Sequence, residues 1–277
     1  MSRTKRASVA QETVRIVENG CYELADGQQV DLRKEIDDSL AATQLIRPGD
    51  FGSLMIPRSN HRGTDFEVHN ETTLTAARRL VVERQLDNVL CLNFASAKNP
   101  GGGYLGGSQA QEESLARSSA LVKTLESQWE YYDFHRSCGI SVYSDHMILS
   151  PDVPVFRADD GALLDRPYLL SILTSPAVNA GAVIKNEPQR AAEIEPKMAA
   201  RIGKLLKLAA AKNYQHLILG AWGCGVFRNE PEMIARLFAE TLKIGGAFEN
   251  QFTSITFAVL DGTEHENIIG PFRALFQ

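Results

Sequence analysis

At 277 residues, 44% of them hydrophobic and 23% charged, the chain has the make-up of a globular protein with one enlarged domain. No apolar run approaches the ~20 residues of a membrane span, and a formal net charge of −5 argues against a sequence-independent nucleic-acid binder, which needs a basic surface. Cys21, Cys91, Cys138 and Cys224 form no CxxC and the six histidines are scattered, so reduced thiols, no metal and no cofactor are expected. The opening MSRTKRASVAQETVRIVENG is basic but lacks an apolar h-region, so the expected setting is cytoplasmic, with neither membrane nor direct nucleic-acid partner.

In chain order, RASVAQETVRIVEN suits a helix ending at Gly20, and DLRKEIDDSLAATQLI a second ending before Pro48. TDFEVHN alternates like a strand, ETTLTAARRLVVERQ reads as a helix opened by Asn70, and NVLCLNFA as a short apolar strand. One helix is predicted over QEESLARSSALVKTLESQW, with Leu115, Val122, Leu125 and Trp129 on roughly one face. HMILSP, VPVFRAD and YLLSILTSP are strand candidates; the long helical stretch 186–213 contains Pro196, which predicts a kink or break. HLILGAW reads as a buried strand, NEPEMIARLFAETLKIG as a helix with Pro231 near its first turn, FTSITFAVL as a strand and ENIIGPFRALF as a closing helix. Strands alternating with helices imply a parallel or mixed sheet covered on both faces, with ligands outside the carboxyl ends of the strands.

Two such ends are glycine-rich. In NPGGGYLGG, Gly101, Gly102, Gly103, Gly106 and Gly107 give either a flexible turn or a loop whose N–H groups approach a phosphate or sugar. Gly101, Gly103 and Gly106 match G-x-G-x-x-G, but five residues and a proline follow the strand first and position ~20 onward falls in a helix, so a dinucleotide fold is rejected. Ser108 and Gln111 read as a capping box. Glu112 and Glu113 then occupy the first turns, either serving the helix dipole or acting on a ligand. Neighbouring residues on a helix point about 100° apart, so one glutamate can face the ligand while the other braces it. A helix N-terminus lowers a carboxyl pKa, so an acid at Glu113 needs burial and the charge of Glu112, or help from bound phosphates, to raise it. The second loop, GAWGCGVFRNEP, offers Gly223 and Gly225 for close backbone approach before a helix expected near Asn229, a suitable anion site. Phe227 packs either in the core or on a sugar or base. Cys224 lacks the flanking glycines of a nucleophile elbow and reads as a small loop residue.

GGG, seven residues, then QEE (Gly101–Gly103, then Gln111, Glu112, Glu113) resembles the GGG-X6–8-QEE signature of poly(ADP-ribose) glycohydrolases. NETTLTAARRL, LNFASAKNPGGG and GAWGCGVFRN look like the compact bacterial-type form of that family in the right order. The resemblance implies an α/β, macrodomain-like three-layer α-β-α sandwich with a mixed sheet over 61–277, preceded by a helical accessory segment over 1–60. It implies hydrolysis of ribose–ribose bonds in poly(ADP-ribose), with that polymer or ADP-ribosylated proteins as the partner substrate. Glu113 becomes the general acid and base and Glu112 the holder of ribose hydroxyls. Asn99, Gly101, Gly102, Gly103 and Gln111 line the same ribose. Gly223, Cys224, Gly225 and Val226 cradle the diphosphate, Phe227 packs on the distal ribose, and Asn93 matches a position near base or ribose. A non-catalytic ADP-ribose reader and a hydrolase of single ADP-ribose units remain alternatives. Cleavage from chain ends is expected if the N-terminal segment closes the far side of the cleft.

Overall fold

The computed structural model describes residues 1–59 and 62–277. The chain runs α1 (Arg3–Asn19), β1 (Cys21–Glu23), β2 (Gln29–Asp31), α2 (Arg33–Ala42), β3 (Gln44–Ile46), β4 (Asp65–His69), α3 (Thr73–Arg78) and β5 (Val89–Phe94). It continues through α4 (Gln111–Ser118), α5 (Leu121–Glu126), α6 (Trp129–Cys138), β6 (Met147–Arg157) and β7 (Leu163–Ser175). Last come α7 (Ala180–Asn186), α8 (Ile194–Ala211), β8 (His216–Leu219), α9 (Pro231–Leu242), β9 (Ser254–Ala258) and α10 (Gly270–Phe276). Among the described residues no helix is long and apolar enough to cross a membrane.

Among the described residues seven strands form one mixed sheet in the order β3-β6-β7-β5-β8-β9-β4. The three strands on the β3 side pair antiparallel, and the remainder, from β7 through β5, β8 and β9 to β4, pair parallel. β5 shows why the sheet must be covered on both faces. Its apolar residues alternate between two cores, Leu90 and Leu92 facing α8 and α9, and Val89 and Cys91 facing α3 to α6. The result is the expected three-layer α-β-α sandwich, with the glycine loops leaving the carboxyl ends of β5 and β8.

Several elements depart from the sequence reading. Residues 44–46 do not continue the second helix; they form β3, because antiparallel pairing with Met147–Leu149 of β6 outweighs local helix propensity. The N-terminal segment therefore contributes an edge strand to the main sheet, while the expected boundary at 60/61 lies outside the described residues. The single helix predicted over 111–129 is two helices, α4 and α5, and its last residue, Trp129, opens α6. Ser119 adopts an extended conformation and bridges Val155, and Ala120 N–H donates to Pro154 O at 3.1 Å, so β6 takes the backbone groups that a helix would have used. The two strands expected over 146–159 join into β6, bent by an irregularity between Ser150 and Val153. The helix expected from Asn70 is capped instead by Thr72, whose hydroxyl accepts from Thr75 N–H at 3.0 Å. The stretch 186–213 does break beside Pro196: a 3-10 helix over Pro188–Glu193 gives way to α8, and Pro196 lies in the first turn of α8, where its missing N–H costs little.

Candidate active site

After Phe94 the chain makes a tight loop. The Ser96 hydroxyl accepts from the N–H groups of Lys98 (3.3 Å) and Asn99 (3.1 Å), and Asn99 O accepts from Gly102 N–H at 3.0 Å. Gly102 sits at φ +60°, and a Cβ there would lie 2.5 Å from Glu113 Oε1 and 3.2 Å from Glu112 Oε2. Only glycine lets the backbone press this closely against both carboxyl groups. Gly103 N–H then donates to Glu113 Oε1 at 3.0 Å. The loop and the glutamates thus shape each other.

The expected capping box does not form, since the N-cap of α4 is Ala110 and carries no side-chain cap. Gln111 is used elsewhere. Its carboxamide oxygen accepts from Phe94 N–H at 2.8 Å, and its nitrogen donates to Leu92 O at 2.7 Å and to Thr73 Oγ1 at 3.2 Å. β8 pairs with β5 only from Val89 to Cys91, so Gln111 takes up the backbone groups just beyond that pairing. At about 1 kcal/mol net each, these bonds fasten the first turn of α4 to the strand end. Ser108 serves through its carbonyl, which accepts from Arg117 Nη1 at 2.7 Å.

The two glutamates differ sharply. Glu112 is 3% exposed. Its Oε2 accepts from Ser96 N–H at 2.6 Å and its Oε1 from Asn93 Nδ2 at 3.3 Å. Burial pushes its pKa up to about 8; the neighbouring Glu113 adds to the rise, while the donors from Ser96, Asn93 and Gly101 oppose it. Glu113, one residue on, is only half-buried. The burial that the sequence reading required of Glu113 thus falls on its neighbour.

The second loop leaves β8 at Leu219. Trp222 is fully buried and donates from Nε1 to Ser175 O at 3.3 Å. Gly223 has φ +76°, and a Cβ would meet Ala177 Cβ at 2.5 Å and Asn229 Nδ2 at 2.6 Å. Asn229 closes the loop: its N–H reaches Gly223 O at 3.1 Å and its Nδ2 reaches Val178 O at 2.8 Å. The helix after the loop starts at Pro231, two residues beyond Asn229. Burial pushes the Cys224 thiol up to about 12, which suits a packed loop residue and not a nucleophile. Phe227 packs against the core with its ring centroid 6.0 Å from that of Tyr143, and Val226 is exposed.

Between the loops lies a cavity of about 390 Å³, walled by Thr72 to Leu74, Phe94, Gln109 to Gln111, Gly223 to Phe227 and Ala258 to Leu260. It gathers the second loop and Gln111. The remaining predicted residues (Asn99, Gly101 to Gly103, Glu112 and Glu113) are not part of its wall; they converge around Gly102, joined to it through the first turn of α4. Glu71 and Asp159 give the cavity a carboxylate-bearing end, where Thr72 donates to Asp159. A larger groove of about 840 Å³ lies beside Asp26, Arg157 and Asp165 and holds none of the predicted residues. Sequence reasoning missed Ser96 and Thr174. It placed Asn93 near base or ribose, whereas here Asn93 is fully buried with Nδ2 on Glu112 and on Thr174 Oγ1 (3.1 Å). The one available signal was a lone polar residue inside the apolar run VLCLNF.

Residues 10–158, more than half of the chain, match the family model for the catalytic domain of microbial-type PARG. Among solved structures, the chain is similar to poly(ADP-ribose) glycohydrolase (PARG) from Thermomonospora curvata, with 41% identity over 99% of this chain and 100% of that one and a TM-score of 0.94. It is likewise similar to that enzyme bound to the inhibitor ADP-HPD (42% identity, 98% and 99% covered, TM-score 0.91). The Deinococcus radiodurans enzyme in complex with ADP-ribose aligns at 42% identity over 87% of this chain and 97% of that one, with a TM-score of 0.81. Among curated proteins no relative matches.

Proposed function

The chain belongs to the microbial-type poly(ADP-ribose) glycohydrolase family, and from that premise we propose that it hydrolyses the ribose–ribose O-glycosidic bonds of poly(ADP-ribose), releasing ADP-ribose. The observation that carries the reading is the unequal pair of carboxyl groups pressed against Gly102. Glu112 is enclosed, whereas Glu113 is half-open and oriented by the Gly103 N–H. Glu113 donates its proton to the ribose oxygen that leaves. The C–O bond breaks with its electrons on that oxygen, leaving an oxocarbenium-like ribose. The Glu113 carboxylate then removes a proton from the attacking water, which restores the acid. Glu112, held by the Ser96 N–H and Asn93 Nδ2, exchanges hydrogen bonds with the ribose hydroxyls.

In the same reading Asn99 and the backbone of Gly101 to Gly103 line the reacting ribose, and Gln111 holds the strand end against them. The loop Gly223 to Val226 cradles the diphosphate, whose charge also favours the cationic sugar. Phe227 covers the distal ribose, and the cavity toward Ala258 receives the adenosine. The partner is the polymer or an ADP-ribosylated protein, within the cytoplasm. Cleavage proceeds from chain ends. The support for this is α1, which braces the rim of the first loop through Arg3 Nε to Gly106 O (2.9 Å) and Arg6 Nε to Gly107 O (2.8 Å).

The test is incubation of wild type and Glu113→Gln with poly(ADP-ribose), resolving products by length, beside ADP-ribose affinity. Wild type is expected to release free ADP-ribose without internal fragments. Glu113→Gln is expected to bind ADP-ribose normally and turn over at least ~10³-fold more slowly. Binding without cleavage by wild type would make the chain a reader, or an enzyme for a different ADP-ribose linkage.

A further inference from the structure

Behind Glu112 the fold encloses polar atoms that have no hydrogen-bond partner among the described residues: the carboxamide oxygen of Asn93 and the hydroxyls of Tyr131 and Tyr132. All three side chains are 0% exposed. The strand pleat places them on one side of the sheet. Asn93 follows Cys91 by two residues on β5, so both point to the same face. Cys91 packs in one cluster with Leu115 of α4 and with Tyr131 and Tyr132 of α6. Leu115 lies one helical turn from Glu112, which brings the carboxyl group over that cluster. Burial drives both tyrosine hydroxyls well above the ordinary phenol range, and the nearby Glu112 adds to the rise.

The Asn93 carboxamide has spent both N–H donors, one on Glu112 Oε1 (3.3 Å) and one on Thr174 Oγ1 (3.1 Å). Its oxygen is an acceptor left over, and a phenol can both donate and accept. An unpaired buried polar group costs about 1–3 kcal/mol. Folded proteins satisfy such atoms with enclosed water where the site is polar.

We propose that Tyr131 is a positioning residue for Glu112, acting through an enclosed water shared by its hydroxyl and Asn93 Oδ1. The inference rests on the glycohydrolase reading above. Water donating to Oδ1 locks the carboxamide with its nitrogen toward Glu112, so the carboxyl group keeps a donor and a fixed orientation under the ribose. Without that anchor the carboxamide is free to turn, and Glu112 Oε1 loses the donor that favours its ionised form. The other charged groups around this seam are Glu113 beside Glu112, Arg201 toward Tyr131, and Glu126 and Arg136 toward Tyr132; the Tyr143 phenol also faces Tyr131. They are the same in the wild-type chain and in a tyrosine-to-phenylalanine variant.

The experiment compares wild type with Tyr131→Phe in the full chain, measuring kcat and KM on poly(ADP-ribose) across pH, ADP-ribose affinity, and a high-resolution crystal structure of each. The expected outcome is a fall in kcat of about tenfold, consistent with about one hydrogen bond. KM and affinity change by less than about twofold, and the limb of kcat/KM governed by Glu112 moves to higher pH. The wild-type crystal shows a water contacting both Tyr131 and Asn93 Oδ1, and that water is missing or displaced in the variant. An active wild type whose variant keeps the same kcat and pH profile overturns the role of Tyr131. If the variant does not fold, a wild-type crystal lacking that water does the same. An inactive wild type overturns the glycohydrolase reading itself, which is a separate result.

Discussion

The two glycine loops look alike in sequence and are built in opposite ways. In the first, the backbone is pressed against side chains, with Gly102 wedged onto both carboxyl groups and Gly103 bonded to Glu113. In the second, the backbone is held from behind by Asn229 and Trp222, while Gly225 faces open space and Val226 faces solvent. In the function proposed above, one loop positions acids and the other presents N–H groups to a ligand. Glycine count cannot separate these tasks, whereas what a Cβ would strike at each position does.

That difference can be broken at single positions. The largest effect is expected at Gly102→Ala, where a strained φ and a clash with Glu113 displace the acid. Steady-state kinetics should give a kcat about 10²-fold lower with little change in ADP-ribose affinity. Gly223→Ala should do the reverse. Its Cβ strikes Ala177 and Asn229, so calorimetry should show ADP-ribose affinity reduced roughly tenfold while kcat at saturation is largely kept. Glu112→Gln probes the enclosed carboxyl through stability. A carboxyl whose folded pKa is raised to about 8 from an unfolded value near ~4.3 binds its proton more tightly when folded. Wild type therefore loses stability as pH rises through that window, by up to about 1.4 kcal/mol per pH unit. The glutamine variant is spared this loss, so its Tm advantage should widen between pH 5 and pH 8. The smallest effect is expected at Gly225→Ala, where nothing lies near a new Cβ and stability should change by no more than ~0.5 kcal/mol on chemical denaturation.

The layered fold, most of the strands and both loops were legible because hydrophobic period and glycine punctuation are local signals. The spacing from Gly101–Gly103 to Glu113 was legible for the same reason. Residues whose job depends on a distant partner were not. Residues 44–46 have a helix-like pattern until β6 supplies a strand to pair with, and Ser119 continues a helix until β6 takes its neighbour's N–H. Gln111 reads as a cap because the exposed groups at Leu92 and Phe94 cannot be seen from sequence. The support beneath Glu112 comes from Asn93, Ser96 and Thr174, brought together across separate strands and a loop.

The pairing of β4 with β9 has a consequence for the order of assembly. Among the described residues Asp65–His69 finds its only strand partner at Ser254–Ala258, and Asn70 exchanges hydrogen bonds with Asp261 across the same seam. The wall of the cavity at Thr72 to Leu74 follows directly from β4. On a ribosome making the chain, β4 emerges early and waits for nearly two hundred more residues before its neighbour exists. Such a long loop closure is slow, and it leaves an unpaired strand edge exposed in the interval. The two glutamates and their glycine loop can form from the middle of the chain, but the cavity wall beyond β4 and β9 is completed among the last events of folding. Chaperone dependence and aggregation during expression should therefore track the β4–β9 seam more closely than the first glycine loop.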